Sequence, residues 1–380
     1  MEERVNQKRL VYISDVELQL FGGGPYAVNW HAFDQLRRRF SATYAGPLTR
    51  NPLWVGPTVT KVRRTIVDGR GHFSFFSPDS LDENAAVVAP HMDGADVVMF
   101  RSATHWCRCR PPVKYFVYLD VVFHTFFFNT FDVGHFDSAE LDRIWKEEAD
   151  FLQGAAGVFF DSKWGMDKAR AAYGLQGSHY FAAGRGGVID PPPADTWAGR
   201  SHKLISMAMN FHQKGGDRIL EAYKSLKPRY PSLTWHIIGG PPEGDWESVG
   251  GISYEGALRP EIPAEQERLR ALLADAFLLV HPTREDTSPL VLTEAAYFGC
   301  PAISVNMFAI PEFVEHGKTG ILLEPPVTSD GVAQAIAALI EDGDRYREMR
   351  RQARSTALEK YSWDNIGTAM ADRIEQSLSP

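Results

Sequence analysis

The sequence contains little cysteine and lacks any apolar run long enough to cross a membrane. The 380 residues include only three cysteines, an odd and sparse set that is typical of a reducing compartment and excludes a disulfide framework. A membrane-spanning helix needs about 20 consecutive apolar residues, and none of the apolar runs reaches that length. The first ten residues, MEERVNQKRL, are charged and lead into a short strand, so we expect no signal peptide. These absences predict a cytoplasmic protein.

An excess of positive charge is also missing. The chain carries 40 basic and 48 acidic residues, for a formal net charge of −8. Proteins that bind nucleic acid need a basic face, so we expect no nucleic-acid partner. His105, Cys107 and Cys109 stand close together in the sequence, but no second pair of ligands follows, and we predict no metal site. The length and an apolar content of 44% instead favour two packed domains of ordinary size.

The stretch from His281 to Glu315 carries the strongest pattern in the chain. It follows an apolar run at 276–280, which predicts a buried parallel strand. Ser288 and Pro289 are typical of a helix N-cap followed by proline at the first helical position. Gly299 predicts the end of that helix, and a second strand follows. The pattern is therefore strand, loop, helix and strand, with the loop at the sheet edge where open α/β sheets bind ligands.

The residues of this loop and helix suggest a phosphate-containing ligand. Backbone N–H groups at a helix start, here those of Ser288, Leu290 and Val291, favour an anion. Glu294 lies four residues after Leu290 on the same face, and helical side chains lean toward the N-terminus. A nucleotide sugar fits, with its diphosphate at the helix start, its ribose at Glu294 and its sugar at Asp286. The alternative is that the two acids are ordinary solvated side chains.

The spacing of the two acids resembles the donor-site signature of retaining glycosyltransferases of family 4, in which two glutamates are separated by seven residues. Asp286 and Glu294 keep the spacing, although the first acid is aspartate and Glu285 is an alternative for its role. The resemblance implies the GT-B fold, an α/β architecture of two Rossmann-like, doubly wound domains facing an interdomain cleft. We expect an N-terminal acceptor-side domain, a C-terminal nucleotide-sugar domain and a last helix that returns to the first domain, over 1–195, 196–360 and 361–380.

The same resemblance implies further donor-site residues. Lys214 and Gly215 follow a predicted strand at 204–207, and the lysine is expected to neutralise the leaving diphosphate. Leu258 is expected to border the nucleobase. Many relatives carry an arginine a few residues before the lysine, where this chain has Met207, Ala208 and Met209. Either Lys214 and the helix start suffice for the diphosphate, or another base replaces the arginine, for which Arg185 and Arg284 are the candidates.

Candidate residues in the N-terminal half follow its first strand and one of its later strands. Gly23 and Gly24 follow the first strand, where glycine lets backbone approach a ligand closely, and the resemblance implies contact with the substrates. Asp120 and His124 follow a predicted strand at 114–120, so they are expected to touch the acceptor or the transferred sugar. For Asp120, a helix N-cap or a plain loop acid is an equal alternative.

Two other segments of this half give weaker expectations. Residues 69–82 are predicted to form a loop. The aromatic run at 123–128 favours core packing over an acceptor wall or a patch that touches a membrane.

The function that these patterns and the resemblance predict is retaining transfer of a sugar from a UDP- or GDP-sugar. The acceptor is expected to be a glycan, a lipid-linked glycan or a small molecule, as in surface-polysaccharide assembly. No Asp-x-Asp motif appears in a strand context, so we expect no metal and no tightly bound cofactor. Peripheral contact with a membrane is a further expectation. The alternatives are a sugar phosphorylase of the same fold, which would need a pyridoxal lysine, and a non-catalytic module that binds nucleotide or glycan.

Overall fold

The computed structural model describes residues 7–20, 24–48, 64–67, 70–195, 197, 199 and 202–379. Contacts divide the chain into two compact units. The first unit consists of Met1–Arg185 and Trp363–Pro380, and the second consists of Gly186–Ser362.

The first unit contains a six-stranded parallel sheet and a two-stranded antiparallel pair. Parallel strands that are covered on both faces read as continuous apolar runs, as in the sequence VVMF at 97–100 and FVYL at 116–119, where every side chain is buried. The strands are β1 (Arg9–Ile13), β2 (Ser41–Ala45), β3 (Arg64–Val67), β4 (Arg70–Phe73), β5 (Val97–Arg101), β6 (Tyr115–Leu119), β7 (Gly157–Phe160) and β8 (Tyr180–Ala182).

The order of the six strands is β2-β1-β5-β6-β7-β8, and all five pairings are parallel. The carboxyl ends of β1, β5, β6, β7 and β8 therefore meet along one edge. The helices of this unit are α1 (Gly24–Leu36), α2 (Pro78–Val88), α3 (Phe123–Thr130), α4 (Ser138–Gly154), α5 (Lys163–Tyr173) and, from the end of the chain, α12 (Trp363–Leu378).

The second unit repeats the plan with a six-stranded parallel sheet of order β11-β10-β9-β12-β13-β14. Its strands are β9 (Lys203–Ala208), β10 (Thr234–Gly239), β11 (Ile252–Gly256), β12 (Leu278–Val280), β13 (Ala302–Val305) and β14 (Gly320–Leu323). Its helices are α6 (Gly216–Leu226), α7 (Pro263–Asp275), α8 (Leu290–Tyr297), α9 (Ile310–Phe313), α10 (Ser329–Glu341) and α11 (Gly343–Lys360).

The last helix, α12, packs on α1 in the first unit. The Trp363 ring stacks on His31 with 5.0 Å between ring centroids. Arg38, two residues beyond the end of α1, forms an ion pair with Asp364 of α12, with 2.6 Å between Nη1 and Oδ1. A segment at the end of the chain thus completes the core that the first residues of the chain began.

The predicted fold class is confirmed, because two parallel sheets flanked by helices are present. The loop predicted over residues 69–82 is wrong. Strand β4 pairs with β3, and α2 begins at Pro78. The Ser77 hydroxyl caps that helix by accepting a hydrogen bond from Ser80 N, a start signal that the expectation of a loop overlooked. Among the described residues, no helix has the length and apolar character to cross a membrane.

Candidate functional site

The loop between β12 and α8 leads to a helix start that no side chain caps. Helix α8 begins at Leu290, and its N-cap is Pro289, whose backbone is extended with ψ 123°. The prediction of Ser288 as the cap is therefore wrong, because the extended proline shifts the first helical residue by one. Ser288 is buried but makes no cap hydrogen bond. The N–H groups of the first turn, including those of Leu290 and Val291, remain suited to an anion.

Lys214 and Asp286 lie together at the carboxyl edge of the second sheet. Lys214 Nζ donates to Asp286 Oδ2 at 2.7 Å and to the Glu285 carbonyl at 2.6 Å. The Glu285 carboxylate instead accepts from Gln213 Nε2 at 3.0 Å. Of the two acids that sequence reasoning left open, Asp286 is thus the one beside the lysine.

A glycine makes this approach of the two loops possible. Gly215 has a φ of 81°, and a Cβ at this position would lie 2.3 Å from the Pro282 carbonyl oxygen. A side chain would therefore push the lysine loop away from the acid loop. Arg284 N also donates to the Gln213 carbonyl at 2.9 Å, so backbone contacts hold Lys214 opposite Asp286.

A buried histidine lies beside this pair. His281 follows β12 directly, is only 2% exposed, and places Nε2 3.4 Å from Asp286 Oδ2. Burial acts to raise the pKa of Asp286, but the contact with His281 and the charge of Lys214 outweigh it and hold the pKa below its usual value. Sequence reasoning missed His281, although a histidine at a strand's carboxyl end met the criterion that selected Asp120.

Arg185 and Arg284, the candidates to replace the arginine that many relatives carry, are each paired with an acid. Arg284 donates to both carboxylate oxygens of Asp217, at 2.7 and 2.8 Å, and Arg185 lies 3.3 Å from Asp161 in the first unit. Met209, in the segment where many relatives carry arginine, is 73% exposed.

A third arginine, which sequence reasoning missed, lies at the same sheet edge. Arg218, in the first turn of α6, donates to the Pro282 carbonyl at 3.0 Å. Burial and the neighbouring Arg284 lower its pKa.

Glu294 is buried against the segment that opens the second unit. Its Oε1 accepts from Val188 N at 2.9 Å, and a Cβ on Gly187 would lie 2.8 Å from its Cγ. Tyr297, one helical turn further, accepts from Gly187 N at 3.1 Å. The glycine at 187 thus lets backbone reach the acid, and Glu294 positions residues 187–188.

The structure describes two of the three remaining predicted donor-site residues. Leu258 is half-buried in the loop after β11, and Gly24 is the first residue of α1. Gly23 lies outside the described residues.

In the first unit, Asp120 and His124 lie at and beyond the end of β6. Asp120 Oδ1 accepts from Val121 N at 2.8 Å, and the cap of α3 is Val122 rather than Asp120. The His124 ring packs on Phe128 and Trp145, with centroids 4.6 and 4.9 Å away, and burial lowers its pKa. His124 is thus part of an aromatic layer.

The aromatic run at 123–128 is divided between the core and the surface. Phe123 and Phe127 are core residues, packed with Phe73 and Phe136. The side chains of Phe126 and Phe128 are 39% and 49% exposed. Core packing, which the sequence favoured, therefore describes only part of the run.

In the part of the chain that the structure describes, no group of three or more His, Cys, Asp and Glu side chains is arranged to hold a metal ion. The three cysteines are buried thiols.

Residues 193–356 match the family model described as "Glycosyl transferases group 1". The chain is 27% identical over 188 residues to a GDP-mannose-dependent alpha-(1-6)-phosphatidylinositol monomannoside mannosyltransferase of Mycobacterium tuberculosis, covering 46% of this chain and 47% of the relative. It is 27% identical over 171 residues to a glycogen synthase of the same species, covering 44% and 41%. The chain therefore spans less than half the length of these relatives.

Solved structures with the same fold cover almost the whole chain. A sucrose-phosphate synthase from Thermosynechococcus elongatus superposes with a TM-score of 0.67 and 15% identity, covering 98% of this chain and 99% of the other. Anabaena HepE in complex with UDP and glucose superposes with a TM-score of 0.63 and 17% identity, covering 97% and 100%. At these identities the comparisons establish the fold, which is that of GT-B glycosyltransferases.

Proposed function

Because residues 193–356 match the family model of the group 1 glycosyl transferases, we propose that the protein transfers a sugar from a nucleotide-diphosphate sugar to a hydroxyl group of an acceptor. The anomeric configuration is retained, and no metal ion takes part. The observation that carries the proposal is the position of Lys214 Nζ, 2.7 Å from Asp286 Oδ2 at the sheet edge from which α8 begins.

In this reaction the bond between the anomeric carbon and the phosphate oxygen breaks, and its electron pair leaves with the diphosphate. Lys214 and the N–H groups of Leu290 and Val291 stabilise the charge that develops there. The acceptor oxygen forms the new bond on the same face, and its proton passes to the leaving phosphate. Asp286 accepts hydrogen bonds from hydroxyl groups of the transferred sugar, and Glu294 holds the ribose diol.

The donor base is uracil or guanine in this proposal. One relative is named as GDP-mannose-dependent, and HepE was solved with UDP-glucose. Leu258, half-buried after β11, is the apolar neighbour assigned to the base. The acceptor is a glycan, a lipid-linked glycan or a small molecule in the cytoplasm, and the half-exposed rings of Phe126 and Phe128 support peripheral contact with a membrane.

A thermal-shift series with UDP, GDP, ADP and their sugar conjugates tests the donor assignment. A ligand that binds only the folded state raises the melting temperature. We expect one base to give a clear shift in the wild type and a smaller shift in Lys214→Ala. Absence of a shift with every nucleotide would overturn the proposal. A shift in melting temperature without transfer to any acceptor of a broad panel would identify a non-catalytic donor-binding module. That module is the second candidate function, because the exposed Met209 lies in the segment where many relatives carry an arginine.

A further inference from the structure

Charged side chains stand in a row along the carboxyl edge of the first sheet. Arg101 is the last residue of β5, Asp120 follows β6, and Asp161 follows β7. Arg185 stands three residues beyond the end of β8. Because these strands are neighbours in the order β5-β6-β7-β8, the four side chains form a series of base, acid, acid and base at the edge where open α/β sheets bind ligands.

The last two members of this series, Asp161 and Arg185, have buried polar atoms with no hydrogen-bond partner among the described residues. Asp161 is 1% exposed, and neither of its carboxylate oxygens accepts a hydrogen bond of acceptable geometry. Arg185 Nη1 lies 3.3 Å from Asp161 Oδ2, yet its Nε and Nη2 are buried without an acceptor. The hydroxyl groups of Tyr12 and Ser102, on or next to β1 and β5, are unsatisfied as well.

Buried polar groups without a hydrogen-bond partner destabilise the folded state, and charged groups do so most. Several at one sheet edge therefore require an explanation, such as a bound ligand.

A second buried acid in the same unit shows how this chain satisfies a purely structural carboxylate. Glu148 is also 1% exposed, and it accepts hydrogen bonds from Thr104 Oγ1 at 2.8 Å, from Phe123 N at 2.9 Å and from the Tyr173 hydroxyl. Three donors thus hold one structural acid in place. Asp161 has the same burial but none of these donors among the described residues, which points to donors supplied by a bound ligand.

The charges of these four side chains indicate which class of ligand fits the sheet edge. Arg101 and Arg185 contribute two positive charges, and Asp120 and Asp161 contribute two negative charges. Burial raises the pKa of Asp161 to about 6, and Arg185 and Arg101 limit the rise. An anionic ligand would be repelled by the acids and a cationic ligand by the arginines. Hydroxyl groups both donate and accept, so a neutral polyol satisfies both partners.

We propose that this edge of the first sheet binds a neutral, polyhydroxylated acceptor such as a hexose unit. Asp161 accepts a hydrogen bond from one acceptor hydroxyl, and Arg185 donates to another. This inference rests on the proposed glycosyl transfer and narrows its acceptor. It assigns Asp161 and Arg185 as residues that determine acceptor specificity.

The test measures binding of glucose, mannose, glucuronate and glucosamine to the full-length protein by ligand-observed NMR, with UDP binding measured in parallel. The wild type is expected to prefer the neutral sugars. Asp161→Asn should weaken glucose binding about tenfold, since hydrogen bonds to charged groups contribute about 1.5–3 kcal/mol, and should shift the preference toward glucuronate. Arg185→Gln should shift it toward glucosamine.

Asp150→Asn is the matched control, because Asp150 is an exposed acid of the same unit, paired with Lys146 at 2.5 Å. It should leave every sugar unaffected, and circular dichroism of each variant verifies folding. Wild-type protein that prefers a charged sugar or binds none of the four overturns the inference, as does Asp161→Asn or Arg185→Gln with an unchanged preference. If the sugars follow the expected order but UDP does not bind, the proposed function fails instead.

Discussion

Lys214 Nζ donates to Asp286 Oδ2 at 2.7 Å, although the two residues are 72 positions apart in the sequence. Both side chains are about one-fifth exposed, so the pair is accessible from solvent. Asp286 thus holds the lysine at the place where the proposed diphosphate leaves. A bound diphosphate would pair with Lys214 in place of Asp286. Asp286 could then accept hydrogen bonds from the hydroxyl groups of the sugar.

Replacing Lys214 by alanine should reduce the rate of transfer about 100-fold, because one fixed positive charge at the leaving group is lost. Folding should change little. Steady-state kinetics with the donor identified by thermal shift checks the rate. Lys224→Ala is the control, since Lys224 is also paired with carboxylates but lies on α6 beside Asp245. A fully active Lys214→Ala variant would show that the diphosphate is held elsewhere.

The lowered pKa of Asp286 predicts how stability depends on pH. A carboxyl whose pKa is depressed in the folded state stabilises the protein above its unfolded value of 3.8, and this contribution disappears as the pH falls through the folded-state pKa. Asp286→Asn should therefore be less stable than the wild type at pH 6, and the difference should narrow below pH 3.8. Urea unfolding of both proteins at several pH values measures this difference in the free energy of unfolding.

Lys214→Ala serves as an internal control for this titration. Without the lysine the folded-state pKa of Asp286 rises toward its unfolded value, so the stability lost on acidification should be smaller than in the wild type. A difference between Asp286→Asn and the wild type that stays constant from pH 6 to 3 would contradict the charge contribution.

Two substitutions of Glu294 separate its structural contact from its proposed contact with ribose. Glu294→Gln keeps an oxygen for Val188 N, so it should preserve stability while raising the donor Kd about tenfold through loss of a charge-assisted bond. Glu294→Ala should lower both stability and affinity. Isothermal titration and thermal unfolding measure the two quantities. Donor affinity in Glu294→Gln equal to that of the wild type would remove the ribose assignment.

Transfer should continue after the protein is treated with a chelator, since Lys214 and the start of α8 are proposed to carry the charge compensation that a metal ion supplies in other transferases. The measurement is the rate with and without EDTA, followed by addition of magnesium. Activity that EDTA removes and magnesium restores would contradict metal-independent transfer.

The periodicity of the sequence was sufficient for the fold, because parallel strands and their helices carry strong local patterns. It also placed Lys214 and Asp286 at one sheet edge, since both follow strands of the same sheet. Local signals were less reliable at helix starts. Ser77 and Pro78 do begin a helix. The same two residue types at 288–289 do not, because Pro289 is extended and the helix begins at Leu290.

Sequence patterns did not predict the long-range contacts. The hydrogen bond between Val188 N and Glu294 joins residues 106 positions apart, and no local pattern encodes it. His281 and the pair of Asp161 with Arg185 were missed for a similar reason. Each follows or lies near a strand end, which was visible in the sequence, but the burial of these side chains and their charged neighbours became apparent only in three dimensions.

The close approach of the lysine loop to the acid loop predicts that Gly215 cannot be replaced. Gly215→Ala places Cβ 2.3 Å from the Pro282 carbonyl oxygen at a φ of 81°, so the variant carries both backbone strain and a steric clash. Gly317→Ala is the matched control, because Gly317 has a φ of 77° in the same unit and a Cβ there has nothing within 4 Å. Both should lose stability through the positive φ.

Gly215→Ala should lose about 1–3 kcal/mol more than the control, as is usual when a packed position is overfilled. It should also impair transfer, because the clash separates Lys214 from Asp286, whereas Gly317→Ala should remain active. Chemical unfolding and kinetics of both variants measure these effects. Equal losses of stability with full activity in both would mean that the two loops can move apart without cost, and that the lysine is not held in place by this contact.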